Sequence, residues 1–324
     1  AIHRTERYKN MKAAGYSEQQ IESAFNKKIS THLFTWNGLK KVETTPLDSV
    51  KHYLRFLNTG FLALEPSSGN LKAWVGGIDF RYFKYDHVRS ARQTGSTFKP
   101  FVYLSALENG LSPFEYFPNE KKVYREYQNW SPSNSHGDYT GFYTMEGALS
   151  QSVNTIAVDV LMKTGIDNVI KTARELGLEA DLPPVPSLAL GVASISLKDL
   201  LFAYATMINQ GNRVKPYYLV SIKAPDGTLL DEFERPQKEN TNLNPVNCKI
   251  VRHMMESAIN EGTGRKIRRV YNIRGDFAGK TGTTQNHSDG WFVGITPHLV
   301  TGCWVGAEDP GVHFRTITYG QGSY

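Results

Sequence analysis

"RQTGSTFKP", residues 92–100, sets a serine between a glycine and a threonine, with a lysine three residues later and a proline directly after it. Pro100 has no N–H to donate and its ring collides with the carbonyl one turn earlier, so a helix interior is costly at this position. A helix is therefore predicted to begin near Ser96, where the first N–H groups lack internal partners and a proline is tolerated. Ser96 then stands at the positive end of the helix dipole, and Lys99 projects from the same face one turn on. A serine hydroxyl becomes a strong nucleophile when a nearby base takes its proton, and a lysine amine can serve if it is neutral. Burial and an adjacent positive charge both push a lysine toward neutrality. Taken alone, Ser-x-x-Lys is equally satisfied by a capping serine and a solvated lysine, so the rest of the chain has to decide.

Working outward, "FVYLSALENG" (101–110) continues the helix to a stop at Gly110. Upstream, "GFLALEPSSGNLKAWVGG" (60–77) reads as a hairpin, two β-rich runs around a Pro-Ser-Ser-Gly-Asn turn, and "TTPLDSVKHYLRFL" (44–57) as a helix before it. Residues 1–45 alternate charged and apolar groups, which predicts two short amphipathic helices broken at Gly15, with Ser17 as a cap, and reads as a linker. Downstream comes an aromatic, loop-rich stretch with Tyr116, Phe117, Tyr124, Tyr127 and Trp130. These rings suit loop packing, with Trp130 nearest the presumed cleft. Three helical segments, 145–165, 166–177 and 196–211, each end at a glycine. A hairpin around "PDG" (225–227), a helix at "NCKIVRHMMESAINEG" (247–262) and three β-runs within 277–309 complete the chain. Strands at both ends with helices between them imply one shared sheet and an α+β architecture.

Composition narrows the classes. With 324 residues, 40% hydrophobic and 21% charged, the chain can bury a sizeable core. No stretch reaches the roughly 18 apolar residues of a membrane-spanning helix. A net charge of +6 would suit an anionic partner such as a membrane surface, a wall polymer or nucleic acid. The basic cluster Arg265, Lys266, Arg268 and Arg269 in "GRKIRRV" lacks interleaved aromatics, so it reads as a solvated or wall-facing patch and no nucleic-acid partner is expected. Cys248 and Cys303 have neither metal nor Cys-x-x-Cys spacing and read as buried, inert thiols. The nine histidines show no metal spacing, so neither metal nor cofactor is expected.

Ser-x-Asn and Lys-Thr-Gly each occur twice. Ser68-Gly69-Asn70 lies in the hairpin turn, where small polar residues bond the local backbone. Lys163-Thr164-Gly165 closes a helix, the lysine complementing the dipole and the glycine acting as the stop. Both read as structural. Ser152-Val153-Asn154 instead places a hydroxyl and an amide between helical runs, near the start of an apolar helix. Lys280-Thr281-Gly282 falls on a predicted strand, where Gly282 lets another backbone or a ligand approach.

The ordered set Ser96-x-x-Lys99, Ser152-x-Asn154, Lys280-Thr281-Gly282 resembles that of the penicillin-binding proteins and serine β-lactamases. Flanking segments, among them "NWSPSN", "SLALGVASISLKDLLFAYATMINQG", "EGTGRK" and "GKTGTTQNHSDGWFVGITP", are similar to the transpeptidase domain of class A, bifunctional penicillin-binding proteins over roughly residues 50–310. The resemblance implies the penicillin-binding-protein fold: an antiparallel sheet of two N-terminal and three C-terminal strands flanked by helices, plus an all-helical subdomain, with the cleft between them. It implies a peptidoglycan D,D-transpeptidase acting on D-Ala-D-Ala stem peptides from a lipid-linked precursor, and acylated by β-lactams. In that reading Ser96 is the nucleophile, Lys99 the first candidate for general base, Ser152 a proton relay, and Asn154 the residue that holds Lys99 or the substrate amide. Lys280, Thr281 and Thr283 bind the terminal carboxylate, with Gly282 and Trp130 beside them, and the N–H groups of Ser96 and Thr283 form the oxyanion hole.

The same resemblance makes 1–45 a connection to a missing glycosyltransferase domain and 46–324 the transpeptidase domain, its ending "TITYGQGSY" truncated within an element. A membrane anchor would lie outside this chain and hold the catalytic domain on the periplasmic face of the cytoplasmic membrane. A D,D-carboxypeptidase or β-lactamase-type hydrolase would share the motifs, yet no Glu-x-x-Leu-Asn segment lies between Asn154 and Lys280, and 185–195 contains no acid to activate water. A β-lactam sensor domain is the alternative outside catalysis.

Overall fold

Alternating and β-branched segments from the two ends of the chain pair into one antiparallel sheet. In the computed structural model, which describes residues 2–316, its strands are β1 (Leu57–Leu64), β2 (Leu71–Val75), β3 (Ala278–Thr283), β4 (Asp289–Ile295) and β5 (Val300–Ala307). Their spatial order is β3-β4-β5-β1-β2. The closure is the β5–β1 ladder, which runs from Val300 opposite Leu64 to Ala307 opposite Leu57 and joins the C-terminal strands to the N-terminal hairpin. The expected truncated element at "TITYGQGSY" spans residues 316–324, and all of it but Thr316 lies outside the described range.

Four helices position the site: α1 (Lys99–Glu108), α2 (Asn154–Thr164), α3 (Leu197–Ile208) and α4 (Pro245–Asn260). Every residue of α1 from Lys99 to Leu107 is buried, the pattern of a helix enclosed on all sides. It packs against α2 and α4, while α4 lies on β3 and α3 on β5. The α3–β5 approach is close enough that a Cβ at Gly302 would stand 2.7 Å from a methyl of Leu201. The core is continuous, running from Leu62, Trp291, Val293 and Trp304 in the sheet through α1 to Ile156, Val160 and Leu161 of α2.

Two features differ from the sequence reading. The run 145–165 divides into Met145–Ser150 and α2, because Ser152 adopts φ +57° between them, a left-handed conformation that a helix cannot continue through. At the N-terminus the two expected helices form, Glu6–Ala13 and Glu18–Asn26, with Ser17 and Gln20 in a capping box. They lead into a hairpin, Ile29–Thr35 with Gly38–Thr44. The signal was present as Asn37-Gly38, a hairpin-turn pair. Phe34 of that hairpin packs on Phe56, Tyr82 and Phe83 at 5.2 to 5.3 Å between ring centres. The segment read as a linker is therefore folded onto residues on either side of the β1–β2 hairpin.

Cys248 is buried and Cys303 partly buried, both as free thiols. Burial pushes Cys248 up to about 12 and Cys303 upward as well, which keeps both protonated. No helix among the described residues is long and apolar enough to cross a membrane, and no cluster of three or more His, Cys, Asp or Glu side chains there could hold a metal.

Candidate active site

The predicted helix start at Ser96 is a 3₁₀ turn, Gly95–Phe98, that runs into α1 with Pro100 in the first turn. The turn is held from three sides. Thr94 N and Gly95 N both donate to Gly191 O at 3.1 Å, Tyr204 Oη of α3 donates to Thr97 O at 2.7 Å, and Trp291 Nε1 of β4 donates to Gln93 O at 2.9 Å. Glycines make the contacts possible. A Cβ on Gly191, at φ +72°, would lie 2.0 Å from Gly95 O, and one on Gly95, at φ +55°, would lie 2.6 Å from Thr283 O. Any side chain at either position would part the turn from its neighbours.

Two amines meet at one hydroxyl. Lys99 Nζ donates to Ser152 O at 2.6 Å and to Asn154 Oδ1 at 2.7 Å, and lies within hydrogen-bond distance of Ser152 Oγ at 3.2 Å. Lys280 Nζ donates to Ser152 Oγ at 2.9 Å and to Thr281 O at 3.0 Å. Both lysines are buried, and neither forms a salt bridge with a described carboxylate. Burial drives the Lys99 amine well below the ordinary lysine range, with the charge of Lys280 pushing the same way. Burial alone brings Lys280 down to about 7.

The partners also say where a lone pair on Lys99 would go once the amine is neutral. A neutral amine keeps two N–H donors, and Ser152 O and Asn154 Oδ1 can only accept. The lone pair is left for Ser152 Oγ, the one partner with a proton to give. Ser152 can therefore pass a proton to Lys99 while Lys280 stays on its other side. Ser96 Oγ makes no hydrogen bond to Lys99, so the direct base contact expected from the sequence is not formed, and the lysine is linked to the cleft through Ser152.

The two amines lie buried behind a cleft of ≈ 620 Å³ between the sheet and the helical subdomain, whose walls include Ser96, Ser152, Asn154, Thr281, Thr283 and Trp130. The family described as "Penicillin binding protein transpeptidase domain" matches residues 59–302. The chain belongs to that family. Residues 1–57 match "Penicillin-binding protein middle domain". Similar relatives include penicillin-binding protein 1A of Aquifex aeolicus, 34% identical over 78% of this chain and 34% of its own length. That of Rickettsia conorii is 32% identical over 84% of this chain and 38% of its own. This chain thus spans about a third of the length of these curated relatives. Among solved structures, penicillin-binding protein 1A from Haemophilus influenzae superposes with a TM-score of 0.73 at 25% identity, covering 86% of this chain and 46% of that one. PonA1 from Mycobacterium tuberculosis, in complex with penicillin V, superposes at 0.70 and 23% identity over 99% of this chain and 88% of its own, a likeness of fold.

Within this penicillin-binding transpeptidase domain, the sheet wall carries the expected threonines in different settings. Thr281 Oγ1 donates to Thr263 Oγ1 at 2.8 Å, whereas Thr283 lines the cleft half-buried. Gly282 is buried, and a Cβ there would press on Thr97 Cγ2 at 2.8 Å. Trp130 is half-buried, tilted against Tyr124 with ring centres 6.1 Å apart. The second copies of the motifs are structural, as read: Ser68 and Asn70 bond Glu65 within the hairpin turn, and Lys163 pairs with Glu115 at 2.8 Å. Arg268 spends its guanidinium on Asn260 Oδ1 and the carbonyls of Ile273 and Gly275.

Sequence reasoning missed Thr263, Gly191 and Tyr204. Thr263 sits in "EGTGRK", where its N–H donates to Ser150 O at 3.2 Å and a Cβ on Gly262 would lie 2.2 Å from that same oxygen. That segment ties the strand wall to the helical wall. Its resemblance was legible, but no local pattern marks which residue faces the cleft.

Proposed function

We propose that this domain is a serine D,D-transpeptidase that joins peptidoglycan stem peptides ending in D-Ala-D-Ala, and that β-lactams acylate it at the same serine. The observation that carries the reading is the meeting of two buried, carboxylate-free amines, Lys99 and Lys280, on the hydroxyl of Ser152 beside Ser96. Neutral Lys99 draws the Ser96 proton through Ser152 as Ser96 Oγ attacks the penultimate D-Ala carbonyl. The N–H groups of Ser96 and Thr283 receive the developing oxyanion, a contribution of about 3 kcal/mol or more per donor in other acyl transferases. Ser152 then delivers a proton to the departing D-Ala amine. An amine from a neighbouring stem peptide reverses these steps and leaves the cross-link. Lys280, with the Thr281, Thr283 and Thr263 hydroxyls, anchors the terminal carboxylate and helps keep Lys99 neutral. Asn154 fixes the Lys99 amine, and Trp130 borders the substrate.

A hydrolytic outcome lacks support. Among the described residues that line the cleft the sole carboxylate is Asp138, and its Oδ1 already accepts from Thr140 N and Oγ1. The acyl-enzyme should therefore persist until an amine arrives. In the complete protein, residues 1–45 would connect to a glycosyltransferase domain, and an anchor elsewhere would hold this domain outside the cytoplasmic membrane. Covalent labelling by a fluorescent penicillin tests the centre of the proposal. Ser96→Ala should abolish labelling with little change in melting temperature, and a variant that still labels would remove Ser96 from the role.

A further inference from the structure

Helix α2, which presents Asn154 to Lys99, begins without a cap of its own. The residue before it is Val153, and no side chain there accepts from the first turn. Free N–H groups at a helix start need an acceptor. It comes from 20 residues upstream: Asn134 Oδ1 accepts from Asn154 N at 2.9 Å and from Thr155 N at 3.1 Å. Asn134 is in turn oriented by its amide, which donates to Asn119 Oδ1 and to Asp138 O at 2.8 Å each. Thr155 Oγ1 closes the circuit on Asn119 Oδ1 at 2.8 Å.

The same loop fixes the Asn154 side chain. Asn154 Nδ2 donates to Ser133 O at 2.7 Å, so its Oδ1 is turned to Lys99. One asparagine outside the three motifs thus sets both the backbone from which Asn154 springs and the loop that selects its amide orientation. We propose that Asn134 is a positioning residue for acylation, capping α2 from a distance so that Asn154 holds the Lys99 amine toward Ser152. The inference rests on the roles given above to Ser96 and Lys99.

Acylation of the chain by a fluorescent penicillin, measured as a second-order rate across pH beside the melting temperature, tests it. Asn134→Ala removes the acceptor, and the plateau rate should fall about tenfold, as expected for a small misplacement of a reacting group. Its acid limb should also move to lower pH, because Lys99 loses a well-placed acceptor that favours the ammonium, while Lys280, the charged group facing it across Ser152, is unchanged. Asn134→Asp keeps an oxygen for both N–H groups but sets its second oxygen against Asn119 Oδ1 and Asp138 O, so its rate should fall between those of Asn134→Ala and the parent. The proposal fails if Asn134→Ala acylates at the parent rate with an unmoved acid limb, whatever its melting temperature. Should that variant not fold, Asn134→Ser, which shortens the acceptor without adding a charge, takes its place, and acylation by it at the parent rate with an unmoved acid limb overturns the proposal. A parent chain that is not acylated at all would sink the reading of Ser96 itself, a result distinct from either.

Discussion

Replacing Lys280 by methionine keeps an unbranched side chain one atom shorter and removes its charge, which separates what this residue does for chemistry from what it costs the fold. Lys280 is buried on β3, and burial moves its amine from the ordinary 10.5 to about 7. At about 1.4 kcal/mol per pH decade, that displacement corresponds to roughly 5 kcal/mol of native-state penalty. Two hydrogen bonds oppose it, to Ser152 Oγ at 2.9 Å and Thr281 O at 3.0 Å, each worth about 1 kcal/mol net. In the unfolded chain the amine titrates near 10.4, so between about pH 7 and that value the unfolded state binds a proton that the native state does not. Stability therefore rises with pH through this window, and the penalty is present in full below it. Lys280→Met should be about 3 kcal/mol more stable than the parent near pH 6, with the advantage gone by about pH 10. Urea unfolding followed by tryptophan fluorescence at several pH values reads both quantities. The same variant should lose most of its acylation by penicillin, since the carboxylate anchor and the charge beside Lys99 go together. A variant less stable than the parent near pH 6, or a stability difference flat in pH, would refute the reasoning.

Two further substitutions test the turn that presents Ser96. Gly191→Ala adds a Cβ 2.0 Å from Gly95 O at a backbone φ of +72°. It should destabilise the domain by about 2 kcal/mol or more and cut acylation about a hundredfold; thermal unfolding and penicillin labelling at the parent level would show that the contact can open freely. Tyr204→Phe deletes the 2.7 Å hydrogen bond to Thr97 O. Its expected cost is about 1 kcal/mol in urea unfolding with a severalfold slower acylation, and a variant equal to the parent in both would mean that α3 does not steady the turn.

Much of this was legible in the chain. Gly110, Gly165 and Gly177 end their helices at φ +84°, +90° and +96° as their positions implied, because a left-handed stop is a local property of glycine. The five strands of the sheet were readable from their composition and turns, and of the two Ser-x-Asn segments told apart in the sequence, Ser152-Val153-Asn154 lines the cleft while Ser68-Gly69-Asn70 closes a hairpin turn. The N-terminal hairpin was passed over although Asn37-Gly38 announced it, since a charged, exposed ribbon offers little alternation of hydrophobicity to read. Thr263 and Asn134 were beyond reach for a different reason. Each acts through hydrogen bonds to residues far along the chain, and such bonds leave no period in the sequence.

Spacing and residue type set Ser96 one turn before Lys99 at a proline-marked helix start, a local fact, and the ordered motifs carried the resemblance that joined Ser152, Asn154 and Lys280 to them. The tertiary structure decided how they are wired. It placed the hydroxyl of Ser152 between two amines, left Lys99 without a bond to Ser96, and brought the cap of α2 from Asn134. Those outcomes depend on close approaches between segments distant in the chain, such as Gly191 against Gly95 and Gly262 against Ser150. They depend equally on burial, which lowers the Lys280 amine to about 7 and drives that of Lys99 well below the ordinary lysine range.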